Sequence, residues 1–123
     1  MVVASDVRVL VGTPCTQSGV TQQYLTSVLA LQRHFDELGW GLDVQTRSDG
    51  LVTRTRNIFA SQMVRSDAYT HLLMVDADSG FESSVGERLL RSGHDVVGAC
   101  VPLRETRWTQ VHDALAVAPD LMP

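Results

Sequence analysis

His71-Leu72-Leu73-Met74-Val75-Asp76-Ala77-Asp78 reads as a strand that runs directly into two carboxylates. Its apolar residues follow one another without alternation, which suits a strand buried on both faces of a parallel sheet. The stretch is too continuously apolar for an edge, so it is expected to be central and parallel. Asp76 and Asp78 then stand one residue apart in the loop at the strand's carboxyl end. Mg²⁺ takes one or two carboxylates from a protein and completes its shell with phosphate and water. The pair therefore points to nucleotide or phosphate chemistry. For a bare D-x-D the plainer account is a turn-capping Asp76 and a solvated Asp78; the strand before it and the residues below favour the cation.

Upstream, Arg8-Val9-Leu10-Val11 reads as a first strand, broken by Gly12-Thr13-Pro14. A polar loop through Ser18-Gly19 leads into a helix over 21–38, where Tyr24, Val28, Leu31, Phe35 and Leu38 recur at helical spacing. Gly39 is a suitable stop. Leu42, Val44 and Thr46 alternate with polar neighbours as in a half-exposed strand, and Leu51 to about Arg65 forms a second helix after the Ser48-Asp49-Gly50 turn. Downstream, Ser84-Val85-Gly86-Glu87 has the spacing of a capping box. A short helix with Leu89 and Leu90 ends at Gly93, and Asp95 to Cys100 is a last strand closed by Pro102. Strand and helix alternate throughout. That pattern predicts a single three-layer α/β domain with a mainly parallel sheet and right-handed crossovers. Ligands of such sheets bind beyond the carboxyl ends of the strands, which puts Gly12-Thr13-Pro14 and Asp76-Ala77-Asp78 on one rim. The domain is expected over 1–103, with 104–123 an extension or tail.

The 123 residues suffice for one core. A net charge of −4 argues against a general nucleic-acid or anionic-membrane surface. No apolar stretch is long enough to span a membrane, and the Met1 to Asp6 start has no signal-peptide pattern. Cys15 and Cys100 form no metal or disulfide framework and read as small buried thiols. A cytoplasmic protein is the expectation. All ten basic residues are arginines, so any lysine-dependent mechanism is excluded.

In the second helix Val52, Phe59 and Met63 share one face, and Arg56 falls on it at i+4 from Val52. A buried arginine needs a compensating anion, because desolvating an unpaired charge is costly. Asp76, Asp78 and a bound phosphate are the candidates; the alternative is a side chain that snorkels along its own stem. Asn57 and Arg54 lie on the polar side of the helix. Asn57 either reaches the loop after the first strand or faces water.

Taken in order, the first strand ending in Gly12-Thr13-Pro14, the Arg54-x-Arg56-Asn57 helix, the His71 to Asp78 phrase and Asp95 to Pro102 resemble the nucleotide-binding half of a GT-A-fold glycosyltransferase of the family 2 type. The resemblance covers roughly residues 7–108 and implies a Rossmann-like nucleotide-diphospho-sugar transferase half. It implies that Asp76 and Asp78 bind Mn²⁺ or Mg²⁺ and, through it, a UDP- or GDP-linked sugar, with Asp76 near the ribose or sugar and Asp78 on the metal. Thr13 and Pro14 would pack against the nucleoside, and Arg56 would brace the nucleotide. Two family features have no clear counterpart. Only Asp49 lies near the place of the acidic residue after the second strand. The acceptor-binding half is missing, and with it a recognisable general base: past Cys100 the carboxylates are Glu105, Asp113 and Asp120. His112 is either a late metal ligand or a solvated tail residue, and Trp108 either stacks on a sugar or packs on the core, the latter being favoured.

A phosphoacceptor receiver domain would need an acidic pair after the first strand and a lysine after the last. A haloacid-dehalogenase-like phosphatase would carry its D-x-D on the first strand. Neither fits. The remaining alternative is a catalytically silent nucleotide- or metal-binding module, or a transferase remnant, that acts through assembly. An uncovered sheet edge would favour a homo-oligomer.

Overall fold

The computed structural model describes residues 6–17, 19–101 and 108–117. β1 (Arg8–Cys15) pairs in parallel with β2 (Gly41–Ser48) along its whole length, from Arg8 opposite Gly41 to Cys15 opposite Ser48. On its other side it pairs in parallel with β3 (His71–Met74), from Val9 opposite His71 to Gly12 opposite Met74. The sheet order is β2-β1-β3. Four helices complete the described elements: α1 (Gln22–Leu38), α2 (Val52–Arg65), α3 (Ser83–Arg91) and α4 (Trp108–Val117). None is long and apolar enough to cross a membrane.

The strand period of two divides β1 between two helical layers. Val9 and Val11 face α1 and join Leu31, Phe35 and Trp40 in the main core, with Leu42, Leu73, Val75, Phe81 and Leu90 packed around them. Gly12 faces α2, and a Cβ built on it would lie 2.7 Å from the Phe59 ring. Helices therefore cover both faces. Val9, Leu10 and Val11 are completely buried. The α1 boundaries follow the sequence: the Thr21 hydroxyl caps its start by accepting from Tyr24 N–H, and Gly39 ends it in the left-handed region at φ 74°.

α3 docks on α1 through both apolar and polar contacts. Gly86 lets the helices close up, since a Cβ there would lie 2.7 Å from Leu31 Cδ1. His34 Nε2 donates to Glu87 Oε2 at 2.7 Å, and Arg91 Nε donates to Glu87 Oε1 at 2.8 Å. The Arg91 guanidinium also lies 5.1 Å from the centre of the Trp40 ring, within cation–π range.

Several expectations are corrected. β1 does not break at Gly12 but runs through Pro14 to Cys15. Gly12 O accepts from Val75 N–H, so polar groups at even positions point toward β3. Pro14 points the same way beyond the end of β3, where its missing N–H costs no ladder bond. β3 is parallel as expected but lies at an edge, half-buried, because residues 95–101 form no strand. Val96, Val97 and Val101 are exposed instead. The capping box does not form: Glu82 is the N-cap and makes no side-chain cap bond, while Glu87 is engaged by His34 and Arg91. Cys100 is exposed, whereas Cys15 is buried. The stretch without clear periodicity holds a ten-residue helix, α4, on which Trp108 is exposed and not in the core. The boundary expected at residue 103 lies outside the described residues, as do Glu105 and Asp120.

Gly12→Ala should cost about 1–3 kcal/mol in urea unfolding by overpacking against Phe59, and Phe59→Leu in the same chain should return part of that loss. Glu87 supplies a pH prediction. Hydrogen bonds from His34 and Arg91 hold its carboxyl below the ordinary glutamate value. A carboxyl depressed in the folded state stabilises fully above its unfolded pKa of about 4.3 and loses that contribution as pH falls through the folded value. The difference in Tm between wild type and Glu87→Gln should therefore be open at about pH 5 and close toward about pH 3 in a thermal-denaturation series.

Candidate functional site

β3 delivers the acidic pair onto a tight turn. Val75 N–H donates to Gly12 O at 3.1 Å, the last link to β1, and Ser79 N–H then closes back on Asp76 O at 3.1 Å. Asp76 and Asp78 occupy the first and third positions of this turn, and both are exposed. The turn is fastened to α1 at two points: Ala77 O accepts from Thr21 N–H at 2.9 Å, and Phe81 N–H donates to Ser27 Oγ at 2.9 Å. The pair thus sits at the carboxyl rim of the sheet, beside the ends of β1 and β3, from which the chain leads to α1 and α3 on one face while α2 covers the other. Ligands of open α/β sheets bind beyond the carboxyl ends of the strands.

Arg56 reaches this turn from α2. Its Nη2 donates to Asp76 Oδ1 at 3.1 Å, and the two side chains are 46% and 53% exposed. The expected burial of Arg56 is corrected. The buried stripe of α2 is Thr55 and Phe59, flanked by half-buried Ile58, Gln62 and Met63, while Val52 is exposed. One residue turns a helix by about 100°, so Arg56 lies beside the stripe and its guanidinium emerges at the rim. Asp76 is the anion it meets. A pair this exposed contributes only about 0–1 kcal/mol to stability, so the consequence of the contact is local charge at the turn.

Thr13 does not line an open pocket. It is fully buried on the α1 side of β1, where its hydroxyl and that of Tyr24 share a hydrogen bond of 2.5 Å. Burial raises the Tyr24 pKa, against the lowering effect of the Thr13 bond, which keeps the phenol neutral. Pro14, on the opposite face and half-buried, stays at the rim on the side of α2. Asn57 is exposed and makes no hydrogen bond to the loop after β1 among the described residues. Asp49 lies in the turn before α2, accepting from Leu51 N–H at 3.0 Å and pairing with Arg54 at 3.4 Å. His112 is exposed on α4 beside Asp113.

Among the described residues, no group of three or more His, Cys, Asp or Glu side chains is placed to hold a metal ion. Two exposed carboxylates on one turn suit Mg²⁺ or Mn²⁺ completed by phosphate and water, and do not suit Zn²⁺, which takes three or four protein ligands. The donor set therefore fits the expected cation only together with a phosphate-bearing ligand.

The surface of the described residues carries shallow hollows, two of which bear on the site. The larger, about 500 Å³, lies along the second half of α2 and Tyr69, at the amino ends of the strands and away from the acidic turn. The smaller, about 390 Å³, adjoins that turn and is lined by Gln22, Gln23, Thr26, Ser27 and Gly80. Sequence reading passed over Ser27 and the two glutamines. The one signal for them was Gly80, two residues after Asp78.

The Thr13–Tyr24 bond is testable. Tyr24→Phe should cost about 1–3 kcal/mol in urea unfolding by leaving a buried hydroxyl without its partner. In a cycle with Thr13→Val the double variant should lose less than the sum of the single losses, by at least about 0.5 kcal/mol.

No family model, no curated protein and no solved structure matches this chain.

Proposed function

We propose that this chain binds a UDP- or GDP-linked sugar through Mn²⁺ or Mg²⁺ held by Asp76 and Asp78, as the Rossmann-like nucleotide half of a GT-A glycosyltransferase does. The observation that carries the reading is the position of the acidic turn, at the carboxyl rim beside the ends of β1 and β3, with Arg56 next to it. A divalent cation bound there would neutralise charge on a departing diphosphate. Asp76 and Asp78 supply its carboxylates, and Arg56 offers a planar donor to phosphate oxygens. In the ligand-free chain Arg56 keeps the charge of Asp76 balanced. Pro14 offers an apolar surface at the rim toward α2. Thr13 acts at one remove, by fixing the end of β1 against α1.

A second reading has its own support. Among the described residues β3 is an open edge, and Val96, Val97, Val101 and Trp108 are exposed. A catalytically silent nucleotide-binding module that assembles through an exposed edge or apolar side chains fits those features. The only described carboxylate past Cys100 is Asp113, exposed on α4, and it is no part of the turn that holds Asp76 and Asp78.

Calorimetric titration with UDP, GDP, UDP-glucose and GDP-mannose, with and without Mn²⁺, tests the proposal. Binding should require Mn²⁺, disappear in Asp78→Ala and weaken about tenfold in Arg56→Ala, a change of about 1.4 kcal/mol. Folded protein that binds none of these nucleotides would sink the reading. Sugar release or transfer on adding acceptors would identify a transferase, and binding without turnover a silent module.

A further inference from the structure

The proposed metal and diphosphate site leaves the smaller hollow unused, and its lining is chemically uniform. Gln22, Gln23, Thr26 and Ser27 project from the first turns of α1, and Gly80 closes the opposite wall. No lining side chain carries a formal charge. Each glutamine amide brings two donors and an acceptor, and each hydroxyl can do both. Ser27 Oγ already accepts from Phe81 N–H, which orients it and leaves its own O–H to donate. The volume of about 390 Å³ falls within the range of small-molecule sites.

The hollow is also physically tied to the acidic turn. Thr21 N–H holds Ala77 O, and Ser27 holds Phe81, so the chain from Ala77 to Phe81 lies along α1. Asp78 and Gly80 are two residues apart and so at most about 7 Å along the chain. A Cβ on Gly80 would lie 3.2 Å from Gln23 Cβ and 3.8 Å from Ser27 Oγ, so the absence of a side chain keeps the wall open.

Resting on the proposed nucleotide reading, we infer that this hollow receives the glycosyl group of the ligand and that the group is a neutral, hydroxyl-rich sugar. Amides and hydroxyls offer the mixed donors and acceptors that sugar hydroxyls need. A uronate carboxylate would find no cation in the lining to offset its desolvation.

The test compares each bare nucleotide with its sugar conjugate in the presence of Mn²⁺, using wild type and the double variant Gln23→Ala/Thr26→Val. Both changes are on the exposed side of α1, so the fold should persist. In wild type, UDP-glucose or GDP-mannose should bind about tenfold tighter than the parent diphosphate, and UDP-glucuronate should show no such gain. In the double variant the gain should vanish while affinity for the bare diphosphate stays the same. The side-chain amide signals of Gln22 and Gln23 in ¹⁵N spectra should shift with the conjugates and not with the bare nucleotides. A full gain retained in the variant, or unmoved amide signals with bound conjugate, would overturn the inference and leave the nucleotide site standing. If no nucleotide binds wild type, the underlying reading fails. Titration with glucose and mannose alone then decides for the hollow, shifted Gln amides supporting a sugar site and unmoved ones ending it.

Discussion

The structure depends on the close approach of Phe59 to Gly12. β1 lies between β2 and β3 with a helical layer on each face, and at Gly12 there is no room for a Cβ beneath the Phe59 ring. That approach sets the distance of α2 from the sheet. It thereby sets the level at which Arg56, just under one turn before Phe59, leaves the helix. A more distant α2 would lift the guanidinium from Asp76. One glycine thus couples the packing of the α2 face to the charge arrangement of the rim.

The opposite face is organised differently. There α1 and α3 enclose Val9, Val11, Leu31, Phe35 and Trp40, and the His34–Glu87–Arg91 cluster closes the outer side of the helix pair. This layer also holds the acidic turn, because Thr21 and Ser27 of α1 bind the backbone on either side of Asp78. Asp76 is therefore addressed from α2 and the rest of the turn from α1. A turn held from two layers is better ordered than a free surface loop, which is what a binding site on a rim requires.

The open edge of β3 follows from what residues 95–101 do. Their valines have the composition of a strand, yet strand pairing is a tertiary event, and here the segment remains unpaired and exposed. The same fact demotes β3 from a central to an edge strand. Its apolar run is then only half-buried, a local and global mismatch that leaves Met74 partly exposed next to the acidic turn.

The sequence by itself determined what depends on local chemistry. Apolar spacing placed α1 and α2, Thr21 and Gly39 set the ends of α1 through capping and the left-handed turn, and the parallel α/β class followed from alternation. The D-x-D at the end of an apolar strand was legible for the same reason, since strand and loop are contiguous in the chain. Tertiary structure decided what depends on pairing and rotation between distant segments. The facing of α2 differed by about one residue, which moved Arg56 from core to rim and put Thr55 in its place. Strand alternation turned Thr13 inward to Tyr24 and left Pro14 at the rim. Glu87 caps nothing on its own helix because α3 begins at Ser83 with Glu82 as N-cap, which leaves Glu87 past the first turn, where His34, fifty-three residues away, meets it. None of these contacts has a signature in spacing along one chain, because each joins groups that only the packed sheet and helices bring within reach.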